Sequence, residues 1–522
     1  MKRLLLLCCA IVTASQLLAA APPVKQAQFL STVYTIDRKY RSMEGPSSVQ
    51  KIYLGDREKA ELLWIVGIRT EMVGEDGVTA QLPELMCHVN IDLDGPRHQA
   101  LFDLRRPVAA RLMTLSQGML SASVPAGFGF PIGSNEPMML FTQVLNHNIE
   151  HPDNLKVRHR VTIDYVRDAD LSEPMKPLFN VGASGMVQLD NNPLALATMM
   201  PTSADAEHSG GSCLIGSRAP NGTAASADYV DPNGRHMTGH WVVPPGRQVN
   251  SSDITWFMNL PYNTKLHYAA VHLHPFAESL SIKDVTTGQM VLQSHAVNPT
   301  AGVGLTHVDT FTSIPGVPLL KDHKYELVSV YNNTTLNNAD SMASVFLGLD
   351  DPEFVKPTAA DLGKRSAVLF EGDIIVMRTS VGDLPALLQR SAAPNTIVQF
   401  ARLLVNGVFD NSSAINSGSD LRVAIPMTDP TRKLFQLVAG DHGAPIERGT
   451  VMYCGPPEPA LRIVLKPAAA YDARCTAFAR LVASPDIVNA IIAAPAGTSV
   501  AIRRIDVVDM RDKRAAAGGG GN

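Results

Sequence analysis

KLHYAAVHLHPFAESLSIKD, residues Lys265 to Asp284, is the stretch on which the reading of this chain turns. Read as a β-strand, its side chains alternate between two faces. Tyr268, Ala270, His272 and His274 then share one face, and His267, Ala269, Val271 and Leu273 the other. A His-x-His pair on a strand puts two imidazoles on one side, close enough to bind a single metal ion. Pro275 lacks an N–H and ends regular pairing.

Strand-length apolar runs recur on both sides of this stretch. Upstream come ELLWIVGIRTEM, LPELMCHVNIDL, MMLFTQVLNHNI and HRVTIDYV; around and after it come DITWFMNL, YELVSVYNN and SMASVFLGL. Gly, Pro, Asn and Asp punctuate them, and no long amphipathic helix intervenes. With 38 Gly and 36 Pro in 522 residues, short strands and turns are favoured over long helices. The expected fold class is mainly β, with two tandem antiparallel β-sandwiches of jelly-roll type over residues 49–190 and 236–350. Residues up to about Ser48 read as an extended lead-in. Ser, Gly, Ala, Pro and Asn dominate the linker, residues 191–235. Beyond the Asp350-Asp351-Pro352 boundary the texture changes. Ile397, Phe400, Leu403 and Leu404 fall at helical spacing, and Gly407 is placed to end that helix. Strands such as LRIVLKP and VAIRRIDVV surround it, so residues 365–510 form a mixed third domain. Residues 511–522 are a flexible tail.

The net charge of -4 gives no reason to expect nucleic acid as a partner. Residues 1–20 have the layout of a secretory signal: Lys2 and Arg3, an apolar run from Leu4 to Val12, then small residues for cleavage. The run is too short to span a bilayer, and no other segment is long and apolar enough. The chain is therefore expected to be exported, to a periplasm or beyond the cell. Cys8 and Cys9 lie within the signal. Cys87, Cys213, Cys454 and Cys475 remain, too few for a disulfide framework. Cys454 and Cys475 share the third domain and are the pair considered for a bridge.

Three further strands carry candidate ligands. In Leu85 to Gly95, alternation puts Cys87 on the apolar face as a small buried hydrophobe. It puts His88 on the opposite, polar face. FTQVLNHN ends with His147 beside Leu145 and Gln143. In Asp340 to Leu349, Ala343, Val345, Leu347 and Leu349 form the core face, and Met342 points the other way. A thioether with two imidazoles suits copper, Cu(I) in particular, and not Mg or Ca.

At this point the chain resembles the type II copper, ascorbate-dependent monooxygenases, the peptidylglycine α-hydroxylating and dopamine β-monooxygenase family. The resemblance runs from Ile52 to Leu349. GFGFPIG and LFTQVLNHN are similar to that family's first-half turn and histidine strand; VPPG, NSSDI, VHLH and SMASVFL follow in its order. It implies an oxygen-site copper on His272, His274 and Met342. It also implies an electron-transfer copper in the first half, which takes electrons from ascorbate and relays them across a solvent-filled gap. His147 falls at one ligand of that second copper. The family has a His-His pair where this chain has Cys87-His88. In a regular strand Cys87 and His88 face apart; a β-bulge would let both reach one ion. His98, His151, His159 and His267 are the other histidines available as a substitute ligand. The implied reaction is hydroxylation of a C–H bond in a small-molecule or peptide substrate by dioxygen.

The third domain resembles a cyclophilin-type peptidyl-prolyl isomerase, a β-barrel with helices. AAPNTIVQFARLLVNGVFDN, LRIVLKPAAAYDARCTAFARLV and VAIRRIDVVD carry the likeness. Arg422, in DLRV, is the counterpart of the family's catalytic arginine. The family's glutamine–glycine signature is absent, Arg462 stands in place of a pocket phenylalanine, and Cys475 in place of a histidine or tyrosine. A pocket without aromatics loses its apolar grip on proline. Three functions follow: a copper monooxygenase, a non-catalytic copper-binding protein that holds a protein partner through its third domain, and a prolyl isomerase.

Overall fold

The computed structural model describes residues 23–40, 44–104, 106, 108–189, 229–364, 369, 372–432, 441–466, 474–482 and 485–508. The signal, most of the linker with Cys213, and the tail lie outside the described residues.

The fold is mainly β, and the two N-terminal halves are fused more closely than a tandem arrangement implies. One sheet runs through both, in the order Lys25–Leu30, Leu155–Arg167, Leu62–Gly74, Phe128–Gly133, Lys176–Ser184, Ala343–Asp350, Thr264–Leu273, Phe311–Leu319. The join is the antiparallel pairing of Lys176–Ser184, from the first half, with Ala343–Asp350, from the second. A four-stranded sheet (Ser47–Ile52, Met138–Val144, Met86–Leu93, Arg111–Ser116) completes the first half. A five-stranded sheet built on Gly246–Asp253, Tyr325–Asn333 and Ala277–Asp284 completes the second. A single apolar cluster, from Tyr34 to Leu349, fills the space between these layers. The lead-in is part of this body, because Lys25–Leu30 pairs as an edge strand with Leu155–Arg167. Its sequence, KQAQFL, has one half-buried and one exposed face, as an edge allows.

Covering both faces of the central strands has a consequence for alternation. Ala343–Leu349 is buried at every residue, so Ser344 and Phe346 do not face solvent. The polar face expected on Met86–Leu93 is likewise internal: His88 and Asn90 are fully buried. Strands covered on both sides read as continuous apolar runs, and the few polar residues in them sit inside the core.

The third domain is a closed eight-stranded barrel: Ile374–Thr379, Gly382–Leu388, Cys475–Leu481, Thr450–Cys454, Ala460–Val464, Asp420–Ala424, Ser412–Asn416 and Ser499–Val508. The expected helix spans Pro394–Val405. Ile397, Phe400, Leu403 and Leu404 are its buried face, packed into the barrel core. Gly407 follows with φ +68°, a conformation that glycine adopts without strain. Cys454 and Cys475 stand opposite each other on paired strands and form a disulfide. Arg402 on the helix reaches Asp103 of the first half at 3.1 Å.

Candidate metal centre

Thr264–Leu273 lies between Ala343–Asp350 and Phe311–Leu319, buried from Leu266 onward. A bulge at His267 shifts the register, and from Tyr268 onward the expected alternation holds. His272 and His274 therefore project together, their ring centroids 5.3 Å apart and nearly perpendicular. Two imidazoles on one ion place each centroid ~3.2 Å from the metal, given a metal–nitrogen bond of about 2.0–2.1 Å. A separation of 5.3 Å corresponds to a ligand–metal–ligand angle near the tetrahedral value. Both ring nitrogens of His272 are buried with no hydrogen-bond partner among the described residues. Leaving such groups unpaired in a core costs about 1–3 kcal/mol each. Burial holds the His272 pKa far below its ordinary value, so the ring is neutral and can donate a lone pair.

Met342 lies just past the end of the ladder. His272 pairs with Ser344 and Leu273 with Ala343; one residue further, the Tyr331 hydroxyl stands between the His274 N–H and the Met342 carbonyl and links the two. Met342 is fully buried, and Tyr331 Oη donates to its carbonyl. Asp340, two residues earlier, lies 3.0 Å from His274 Nδ1. Burial pushes the Asp340 carboxyl up, but His274, His147 and His240 outweigh it and hold the group ionised. A carboxylate on Nδ1 fixes the tautomer and presents Nε2 as the donor.

His147 lies on this side as well. Asp340 and His274 act on it, and it hydrogen-bonds to the Val303 carbonyl. Its Nδ1 is buried and unpartnered. The structure thus sets His147 beside the second-half pair, where sequence grouped it with His88. His240 was missed altogether. Its ring is 6.4 Å from that of His274, and its Nε2 is buried without a partner among the described residues. Burial lowers its pKa to about 4. The sequence signal lay in GHW at 239–241, legible only once Trp241 was known to pair with Ser341.

The first-half residues meet in an unexpected way. Between Met86 and His88 the strand carries a bulge, and Cys87 is the extra residue. Cys87 Sγ lies 3.2 Å from His88 Nδ1. The regular-strand expectation, with Cys87 and His88 facing apart, is therefore corrected. Cys87 remains buried and outside any disulfide. The His88 ring stacks on Phe141 at 5.0 Å and meets the His272 ring edge-on at 6.0 Å. The two halves' histidines touch where the resemblance implied a solvent-filled gap. Of the four substitutes, His98 pairs with Glu136 at 2.8 Å. His159 bonds the Gln143 carbonyl, His267 the Ser313 carbonyl, and His151 is exposed. Three of the four are committed elsewhere.

Among the described residues no three His, Cys, Asp or Glu side chains already stand together as a metal-binding group. The donor set that fits a soft cation is the unpartnered His272, the Asp340-oriented His274 and the Met342 thioether. In the barrel, Arg422 pairs with Glu458 at 3.5 Å, and Arg462, directly opposite it in register, pairs with Asp420 at 2.9 Å. Both guanidinium groups are engaged in ion pairs.

No protein-family model matches the chain, and no curated protein matches it. Similar solved structures include three of cyclophilins, whose likeness falls on the barrel. A cyclophilin-type peptidyl-prolyl cis-trans isomerase of Cryptosporidium parvum, crystallised in the presence of the dipeptide Ala-Pro, is 16% identical. The match covers 26% of this chain and 99% of that one, with TM-score 0.22. The same enzyme without the dipeptide is 15% identical over 26% and 98%, with TM-score 0.23. A cyclophilin of Hirschia baltica is 9% identical over 26% and 74%, with TM-score 0.20.

Proposed function

We propose that this chain is an exported copper-dependent oxidoreductase that uses ascorbate and dioxygen to hydroxylate a C–H bond. The observation that carries the reading is His272, whose two nitrogens are buried and unpartnered among the described residues and whose ring centroid is 5.3 Å from that of His274. Copper, when bound, supplies one-electron redox chemistry and a position open to dioxygen. The chain's own residues do the rest. Asp340 holds His274 in the tautomer that offers Nε2. Met342, whose carbonyl the Tyr331 hydroxyl links to the His274 N–H, would add the soft donor that favours Cu(I). The overall balance inserts one oxygen atom into the substrate and releases the other as water. It consumes two electrons, one from each of two ascorbates, and two protons. Cys87 and His88, brought together by the bulge, are the residues that would hold an electron-transfer copper. The test is metal analysis of the purified chain. Copper content that falls in Met342→Ala and His272→Gln, with ascorbate-dependent oxygen uptake falling in step, supports the reading. Copper content unchanged in both variants removes it.

The 6.0 Å contact between His88 and His272 favours a second reading. With no gap between the halves' histidines, the chain would bind copper without oxygenating a substrate. The barrel would then hold a protein or peptide partner. Redox cycling of the bound copper by ascorbate, with no hydroxylated peptide or amine, would select this reading. An isomerase role for Arg422 is the third. A proline-peptide assay on the full chain and on Arg422→Ala decides it.

A further inference from the structure

We infer that His240 is an additional ligand of the copper centre formed by His272, His274 and Met342, and that it closes the position the second-half pair leaves open. This rests on the copper reading above and deepens it. Trp241 pairs with Ser341, so residue 240 is one step beyond that pair, facing Met342 across the strands. Met342 in turn is one residue beyond the Leu273–Ala343 pair, where the Tyr331 hydroxyl links its carbonyl to the His274 N–H. Two short registers therefore bring His240, Met342 and His274 to one spot from three separate segments. The rings of His240 and His274 are 6.4 Å apart and tilted by 39°. Centroids stand roughly 6.4 Å apart only when two imidazoles are opposed across an ion, so a four-donor set requires the His240 side chain to turn toward the pair on binding. His240 is half-buried, and its backbone N–H donates to the Thr238 hydroxyl. Its Nε2 is the buried, unpartnered atom.

The chemical consequence is a change in what the centre can do. Two imidazoles and a thioether leave a fourth position for a small ligand. A third imidazole completes a four-donor set, and closed sites hold a metal or pass electrons while open ones bind substrate. His240 would therefore set access to the copper: bound, it blocks the centre, and displaced, it admits a small molecule.

The test uses the full chain loaded with Cu(I), read by X-ray absorption and by competition against a Cu(I) chelator. Wild type is expected to show three imidazoles and one sulfur on one copper. His240→Gln is expected to show two imidazoles and one sulfur, with at least ~10-fold weaker Cu(I) binding. Carbon monoxide, a probe of an open Cu(I) position, is expected to bind His240→Gln more tightly than wild type. Two imidazoles in both proteins with equal affinity overturn the inference and leave the copper reading standing. Loss of the third imidazole in His147→Gln instead of His240→Gln overturns it too. A wild-type chain that takes up no copper removes both the copper reading and this inference.

Discussion

Cys87 Sγ sits 3.2 Å from His88 Nδ1, although neighbours on a regular strand point to opposite faces. The bulge at residue 87 resolves the conflict by adding one residue against Val144 and Gln143. The thiol is held inside the core by this arrangement. In a Cys213→Ser background, Cys87 should stay unmodified by a thiol reagent in the native protein and react fully once unfolded. Rapid native-state labelling of Cys87, read by peptide mass spectrometry, contradicts the buried placement.

The Asp340–His274 pair gives a prediction independent of the bulge. Asp340→Asn keeps the shape and removes the charge that fixes the His274 tautomer. Copper affinity should fall by about 10–100-fold. The fold should persist, because Asp340 is the middle residue of a three-residue strand whose pairing is made by the backbone, and it is not part of the apolar core. Chelator competition and circular dichroism check the two halves of this statement.

His159 predicts an acid limb. Burial lowers its pKa to about 4, against an ordinary value of 6.5. The folded state therefore favours the neutral ring, and the unfolded chain binds the extra proton between those values. Stability contributed by this neutral ring is complete above pH 6.5 and is lost as pH falls toward 4. The full loss is on the order of 3 kcal/mol. His159→Gln should flatten the stability–pH curve between about pH 6.5 and 4. Urea titrations at intervals across that window measure it, and an unchanged slope contradicts the assignment.

The shared sheet predicts cooperative unfolding. Leu347, fully buried, pairs with Val181 of the first half and Ala269 of the second. Leu347→Ala should cost about 2–5 kcal/mol and lower the transition of both halves together. Two resolved transitions for residues before and after 190, followed by hydrogen exchange, would show that the halves are independent.

Much of the fold was legible because strand length, turn residues and helical spacing are local signals. The helix at Pro394–Val405 and the His272–His274 face could be read directly. What escaped were features set by distant pairing. The bulges at Cys87 and His267 depend on partner strands, so period-two alternation put Cys87 in the core correctly but could not bring it to His88. His240 has no motif around it; it becomes visible through the Trp241–Ser341 register. His147 was grouped by its half of the chain, but the chain after Met138–Val144 brings it to Val303, His274 and Asp340 of the second half. The burial of His88 was hidden because both faces of its strand are covered.

The most direct measurement is copper per chain on the purified full-length protein after loading with Cu(I), for wild type and His272→Gln. The account predicts tightly held copper in wild type with imidazole and sulfur donors, and loss of that copper in the variant. Copper absent from wild type, or retained with the same donors when His272 is replaced, contradicts it.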